Sequence, residues 1–294
     1  MTNADCSHAI FENAWAKVNL ALHVIGQRDD GYHLLDSLVV FANTGDEVSV
    51  RAANELSMTI TGPMASGLAD NKSNLAMMAA LRLKQAASAR GLATSGAHIH
   101  LLKRLPIAAG IGGGSADAAA TLRALNNLWN LSLTNTDLEC IGTSLGADVP
   151  VCIAHKSTQI TGIGTELDQI SDFPNLHMVL ANPNVAISTP KVFEKLENRE
   201  NLPLAAFPVV NDNELWLSWI KSTRNDLQKA ATSLSPDIER VITTLLNNGA
   251  KLARMSGSGA TCFGIFANAS EAQGAAKKLR ALHPNWWVEA AQSN

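Results

Sequence analysis

Four glycines stand within five residues at Gly110-Ile111-Gly112-Gly113-Gly114, and Ser115 follows them directly. Ahead of them AHIHLLKRLP reads as a strand that stops at Pro106. Behind them an alanine-rich run carries Leu122, Leu125 and Leu128 at helical spacing. Four glycines beside a good helix are costly to order without a use. A helix N-terminus offers unpaired N–H groups and positive potential, and glycines let backbone approach phosphate oxygens closely. Phosphate binding is therefore preferred over a merely flexible strand–helix connection. The segment is not a Walker A loop, because no Gly-Lys-Ser/Thr follows. It is not a dinucleotide fingerprint either, since Ser115 occupies the third glycine's place and the chain continues as helices.

The 294 residues predict two domains, and the mixed order of helices and strands predicts an α+β architecture with helices on one side of an antiparallel sheet. A change of texture after Lys156, with more prolines, puts the boundary near 155 to 165 and the domains at 1–158 and 159–294. A net charge of −3, with neither half polycationic, argues against binding nucleic acid or a membrane surface through bulk charge. No uninterrupted apolar run reaches ~18 residues. The acidic, leader-free start and the unpaired cysteines predict a cytoplasmic protein with free, mostly buried thiols. Ala14 to Val24 alternates as a strand. LLDSLVVFANTGDEVSVRA reads as a hairpin turning at Asn43-Thr44-Gly45-Asp46, GADVPVCIA as a strand, and LWLSWIKSTRNDLQKAA as one helix.

Several further features bear on chemistry. Ser256-Gly257-Ser258-Gly259-Ala260-Thr261 joins two apolar strands and reads first as a plain hairpin. Gly142-Thr143-Ser144-Leu145-Gly146 has the form of a nucleophile elbow, but a helix precedes it where an elbow needs a strand. His98 and His100 share a strand face with no third ligand in sight. Lys17 and Asp148 are charges in apolar settings, and each needs a partner. They form either a structural ion pair or a catalytic couple, which spacing alone does not separate. The single tyrosine, Tyr32, lies in the polar turn Asp29-Asp30-Gly31-Tyr32-His33.

Together, the segment from Pro106 to Ala116, AKVNLALHVIGQRDDGYHLLDSL, LGADVPV and SGSGATCFG resemble the GHMP kinase superfamily of small-molecule kinases. Within it they are similar to the branch whose substrate is a sugar alcohol carrying cytidine diphosphate. The resemblance covers nearly the whole chain from about residue 14. It implies the two-domain GHMP fold, with an N-terminal ATP-binding domain of the ribosomal-protein type and a ferredoxin-like C-terminal domain. It also implies transfer of the ATP γ-phosphoryl to an alcohol; another GHMP kinase, for homoserine or mevalonate, is the alternative. Carried over by position, Asp148 would take the hydroxyl proton and Lys17 would hold Asp148 ionised. Pro106, Ala108, Ala109, Gly110, Ile111, Gly112, Gly113, Gly114, Ser115 and Ala116 would cradle the ATP phosphates, with Asn74, Leu75 and Lys103 on the adenosine side. Asn19, Tyr32, His33, Thr189 and Phe193 would hold the substrate, Tyr32 and Phe193 stacking on the cytosine and His33 reading its edge. Gly257, Ser258 and Gly259 would close over it from the other domain. The resemblance implies Mg²⁺ held mainly through the nucleotide phosphates and no protein metal ligand. Trp15 departs from the usual proline, and 197–213 matches poorly.

Overall fold

The computed structural model describes residues 9–293; Cys6 and the first eight residues, with most of the segment read for a leader, lie outside them. In chain order the elements are β1 (Ile10–Gln27), β2 (His33–Ala53), β3 (Ser57–Thr61), α1 (Leu75–Ala89), β4 (Gly96–Leu102), α2 (Gly113–Leu128), α3 (Asn135–Thr143) and α4 (Val149–Ala154). They continue as β5 (Thr158–Gly162), β6 (Glu166–Gln169), β7 (His177–Asn182), α5 (Thr189–Glu194), α6 (Asn213–Ser222), α7 (Gln228–Leu234), α8 (Asp237–Asn247), β8 (Leu252–Met255), β9 (Cys262–Phe266), α9 (Ala269–Leu282) and β10 (Trp287–Gln292). Two compact units emerge, and the chain passes between them more than once. The first comprises 1–15, 45–105 and 113–155, the second 16–44, 106–112 and 156–294.

In the first unit β4 lies between β3, parallel to it, and the C-terminal half of β2, antiparallel from Glu47↔Leu102 to Ala53↔Gly96. Helix α2 packs on α1 and α4. Its buried face is mostly alanine (Ala116, Ala118, Ala119, Ala120, Ala124) with Leu122 and Leu125 between, so backbones approach closely and two leucines fill the gap. Helix α3 begins with a capping box, in which Thr134 and Asp137 satisfy each other's backbone N–H groups. In the second unit the N-terminal half of β2 pairs with β5, which turns back into β6. A separate four-stranded sheet runs β10-β7-β9-β8, all antiparallel, with α8 and α9 packed on it. Taken from β7 through α8, β8, β9 and α9 to β10, this is the ferredoxin-like order.

Three expectations are corrected. The supposed hairpin is one strand of 21 residues, β2. Gly45 makes no turn there: a Cβ on it would lie 2.3 Å from Ala14 O, so the glycine admits the close passage of β1. GADVPVCIA contains a helix, α4, because Pro150 stands in its first turn, where the missing N–H is harmless. The single helix from Leu215 is two, α6 and α7. Between them Leu22 N donates to Arg224 O and Asp226 N to Leu22 O, so pairing with β1 overrides local helix propensity. Strands β5, β6 and β10 and helix α5 carried too little periodicity to be anticipated.

Candidate active site

The first half of the glycine loop belongs to the second unit and interlocks with the second glycine turn. Ser256 Oγ donates to Gly110 O at 3.0 Å, and Thr261 N donates to Ala109 O at 3.1 Å. Gly110 has φ +72° and Gly257 φ +54°. A Cβ on Gly110 would lie 2.5 Å from Ser256 O, and one on Gly257 would lie 2.7 Å from Gly110 O. Two backbones are thus laid against each other at a distance only glycine permits. Ala108 also takes a positive φ, 51°. Lys17, buried in β1, donates its backbone N–H to Ile111 O at 3.0 Å, and a Cβ on Gly112 would fall 3.3 Å from its Cε. The lysine stem therefore runs along the loop.

The expected substrate residues of this unit lie on β1, the turn that precedes β2, the start of β2 and α5. Asn19 is buried; its N–H donates to Ser256 Oγ at 3.0 Å and its Nδ2 to Ser37 Oγ at 2.8 Å. His33 and Phe193 have ring centroids 4.8 Å apart at 32°. His33 Nε2 is buried and has no hydrogen-bond partner, and burial, then Arg199, lowers the imidazole below its usual range, so it is neutral. Tyr32 is 62% exposed, its N–H held by Asp30 Oδ1. Thr189 Oγ1 lies 2.7 Å from Ser258 Oγ. Asn225, which the sequence reading missed, donates through Nδ2 to both Met255 O and Gly257 O and so holds the turn on either side of Ser256.

In the first unit Gly113, Gly114, Ser115 and Ala116 form the opening turn of α2, whose N–H groups have no carbonyl one turn back. A Cβ on Gly114 would just touch Leu75 at 4.0 Å, and Asn74 caps α1 by accepting from Ala76 N. Helix starts α1 and α2 thus lie side by side. Lys103, expected to face adenosine, has its ammonium buried between Asp46 Oδ2 at 2.5 Å and Asp117 Oδ2 at 2.7 Å. Neither aspartate stands out as a site residue from sequence, though a charge inside an apolar run, the signal of Lys17 and Asp148, is present at Asp117 in its alanine-rich helix and absent at Asp46 in its polar stretch. Asp148 is half-buried at the start of α4, and its carboxylate does not cap that helix. Ser144 follows the last turn of α3, so no elbow forms. His98 bonds the hydroxyls of Ser57 and Thr59, and His100 that of Thr61. These imidazoles tie β4 to β3.

Comparison with known proteins fits this arrangement. The family model for the GHMP kinases N terminal domain matches residues 74–156, and that for the GHMP kinases C terminal matches 203–285. The 4-diphosphocytidyl-2-C-methyl-D-erythritol kinase of Brucella melitensis is 49% identical over 95% of this chain and 93% of its own length. The kinase of the same name from Ruegeria pomeroyi is 49% identical over 95% of this chain and 97% of its own. A crystal structure of 4-(cytidine 5'-diphospho)-2C-methyl-D-erythritol kinase matches with a TM-score of 0.79 at 30% identity, covering 97% of this chain and 99% of that one. Homoserine kinase from Cytophaga hutchinsonii, at 18% identity and a TM-score of 0.71, shares the fold. With relatives this similar over nearly its whole length, the chain belongs to the 4-diphosphocytidyl-2-C-methyl-D-erythritol kinase family of GHMP kinases.

Proposed function

We propose that the chain transfers the γ-phosphoryl group of ATP to the 2-hydroxyl of 4-diphosphocytidyl-2-C-methyl-D-erythritol, releasing ADP. Family membership supports the kinase and its use of ATP. The observation that carries the cytidine reading is His33, a neutral imidazole with an unpartnered buried Nε2 beside the Phe193 ring. A cytosine offers a π face to Phe193 and, on its edge, both a donor (N4) and an acceptor (N3), so either imidazole tautomer finds a match. Tyr32, exposed and close in sequence, would cover the other face, a stacking contact worth roughly 1–3 kcal/mol.

In this reading Asp148 accepts the proton of the attacking hydroxyl while its oxygen forms the new bond to Pγ. The bond from Pγ to the bridging oxygen breaks, and ADP leaves with that electron pair. Lys17 offsets negative charge on the transferring group. The amides of Gly113 to Ser115 receive phosphate oxygens at the start of α2, and Asn74, Leu75 and Lys103 form the adenosine side. Near the loop the donors are backbone amides and hydroxyls, which suit phosphate oxygens better than a bare cation. Mg²⁺ therefore belongs with the nucleotide phosphates, whose charge it neutralises. Gly257, Ser258 and Gly259 border the substrate through Asn19 and Thr189. The domain division at 158/159 and binding to neither nucleic acid nor membrane belong to the same reading. Among the described residues no helix is long and apolar enough to cross a membrane.

The test is ADP release with Mg²⁺-ATP and, in turn, the cytidyl methylerythritol, homoserine and mevalonate. Turnover is expected with the first; none there, or comparable turnover with another, overturns the assignment. Asp148→Asn should lower kcat by about 10²–10⁴-fold with KM near normal, whereas Tyr32→Ala should act chiefly on KM.

A further inference from the structure

The residues just before the glycine loop and just after it are joined by one buried ammonium. Asp46 Oδ1 accepts the N–H groups of Arg104 and Leu105 at 2.6 and 2.8 Å, the last two residues before Pro106. Asp46 Oδ2 holds Lys103 Nζ, and Nζ also holds Asp117 Oδ2, one helical turn beyond Gly113. The three side chains are 0 to 5% exposed. A Cβ on Gly113 would come within 3.3 Å of that Nζ, so the missing side chain lets the ammonium reach the first turn of α2. The clamp thus fixes where the strand enters the loop and where the helix leaves it, with residues 106–112 between.

We propose that Asp117, acting through Lys103 and Asp46, is a positioning residue for nucleotide binding: the clamp sets where the α2 amides stand and what charge lies beneath them. This rests on the reading that those amides hold ATP phosphates. Two carboxylates face one ammonium, and Asp117 Oδ1 is buried without a partner. Burial above all pushes the Asp117 carboxyl up to about 8; Asp46 adds to this and Lys103 opposes it. The buried residues that the neighbouring helices α1, α3 and α4 contribute are apolar or glycine, with the thiol of Cys152 on α4 the one titratable side chain. Near neutral pH the clamp therefore keeps a proton and is balanced. At higher pH the proton leaves, and a net negative charge stands one turn below the phosphate amides, weakening their hold on a polyanion.

The test measures the affinity of ADP and of a non-hydrolysable ATP analogue by calorimetry from pH 6.5 to 9.5, for wild type and Asp117→Asn, alongside steady-state kinetics. Wild-type affinity is expected to fall by about tenfold between pH 7 and pH 9, equivalent to about 1.4 kcal/mol. Asp117→Asn, which cannot ionise, should lose that pH step, keeping at pH 9 the KM for ATP that it has at pH 7 while the wild-type KM rises about tenfold. A clamp that only supports the fold would lower the melting temperature of Asp117→Asn and leave the pH step in place, which overturns the proposal. If Asp117→Asn does not fold, ¹³C carboxyl resonances of the wild-type protein decide: no aspartate titrating between pH 7 and 9 also overturns it. Absence of nucleotide binding at every pH would instead bring down the kinase reading itself.

Discussion

Lys103 in the first unit and Arg254 in the second are both cations shut away from water, and their surroundings compensate them in opposite ways. Lys103 sits between two carboxylates. Arg254 is held by neutral oxygens: Leu20 O at 2.7 Å, Thr223 O at 2.7 Å, Thr223 Oγ1 at 2.9 Å and Ile220 O at 3.1 Å. A compact ammonium suits two point charges, whereas a planar fork of five donors suits several carbonyls at once. Three of the four Arg254 acceptors come from the end of α6, where the helix dipole is negative. Burial lowers Arg254 to about 10, so it stays charged near neutral pH. Near neutral pH one arrangement can titrate and the other stays charged. The titratable one lies under the expected ATP loop; the fixed one ties β8, which leads into Ser256, to β1 at Leu20, next to Asn19.

The two arrangements should fail differently. Lys103→Met strands two buried carboxylates without a counter-charge, and breaking such a pair costs about 3–5 kcal/mol. Urea unfolding measures it, and the loss should grow with pH as Asp117 is forced to ionise. A loss under 1 kcal/mol, or one flat in pH, would mean that Asp46 and Asp117 do not depend on Lys103 for compensation. Arg254→Met removes the charge together with its hydrogen bonds and leaves only neutral acceptors, three carbonyls and the Thr223 hydroxyl, short of a donor. The expected cost is about 2–3 kcal/mol, independent of pH between 6 and 9. A cost above that of Lys103→Met would invert the comparison.

These two clamps also mark how far the sequence was legible. The glycine loop, α1, α2 and the strand–turn–strand at Ser256 could be read because their signals are local: periodicity, caps and glycine runs. What decided β2, α4 and the break between α6 and α7 was not local. Gly45 reads as a turn because a single sequence does not show Ala14 crossing it. The 223–227 segment left its helix to pair with Leu22, two hundred residues away. The same limit hid the partners of Lys103. Among the expected site residues, the structure joins His33 to Phe193, Thr189 to Ser258 and Lys17 to Ile111, while Tyr32 stands exposed.

A third group, half-buried, titrates on the acid side of neutrality. His155 takes a left-handed backbone, φ 53°, after α4; burial, with Arg123 nearby, lowers its imidazole to about 4. Its proton binds the unfolded chain first, so its contribution to stability is present above pH 6.5 and is lost as pH falls from 6.5 towards 4. Asparagine tolerates the same backbone. His155→Asn should therefore flatten that slope, the two proteins diverging by up to about 2 kcal/mol once partial exposure is allowed for. Parallel stability curves between pH 6.5 and 4 would show that the imidazole is not held neutral.

The smallest effect isolates burial itself. Lys229 Nζ reaches Glu197 Oε2 at 2.5 Å, as short as the contact between Lys103 and Asp46, yet the two side chains are 81% and 74% exposed. Distance alone would rank the pairs equal. In water, however, the Coulomb gain is screened and two long side chains lose rotamer freedom to hold one geometry. Lys229→Ala should change unfolding stability by no more than about 0.5 kcal/mol, and 0.5 M salt should erase the difference. The same salt should leave the cost of Lys103→Met nearly intact, because mobile ions do not reach a group that solvent does not. If salt reduced both costs alike, the clamp under the glycine loop would be solvated, and its distinction from the surface pair would disappear.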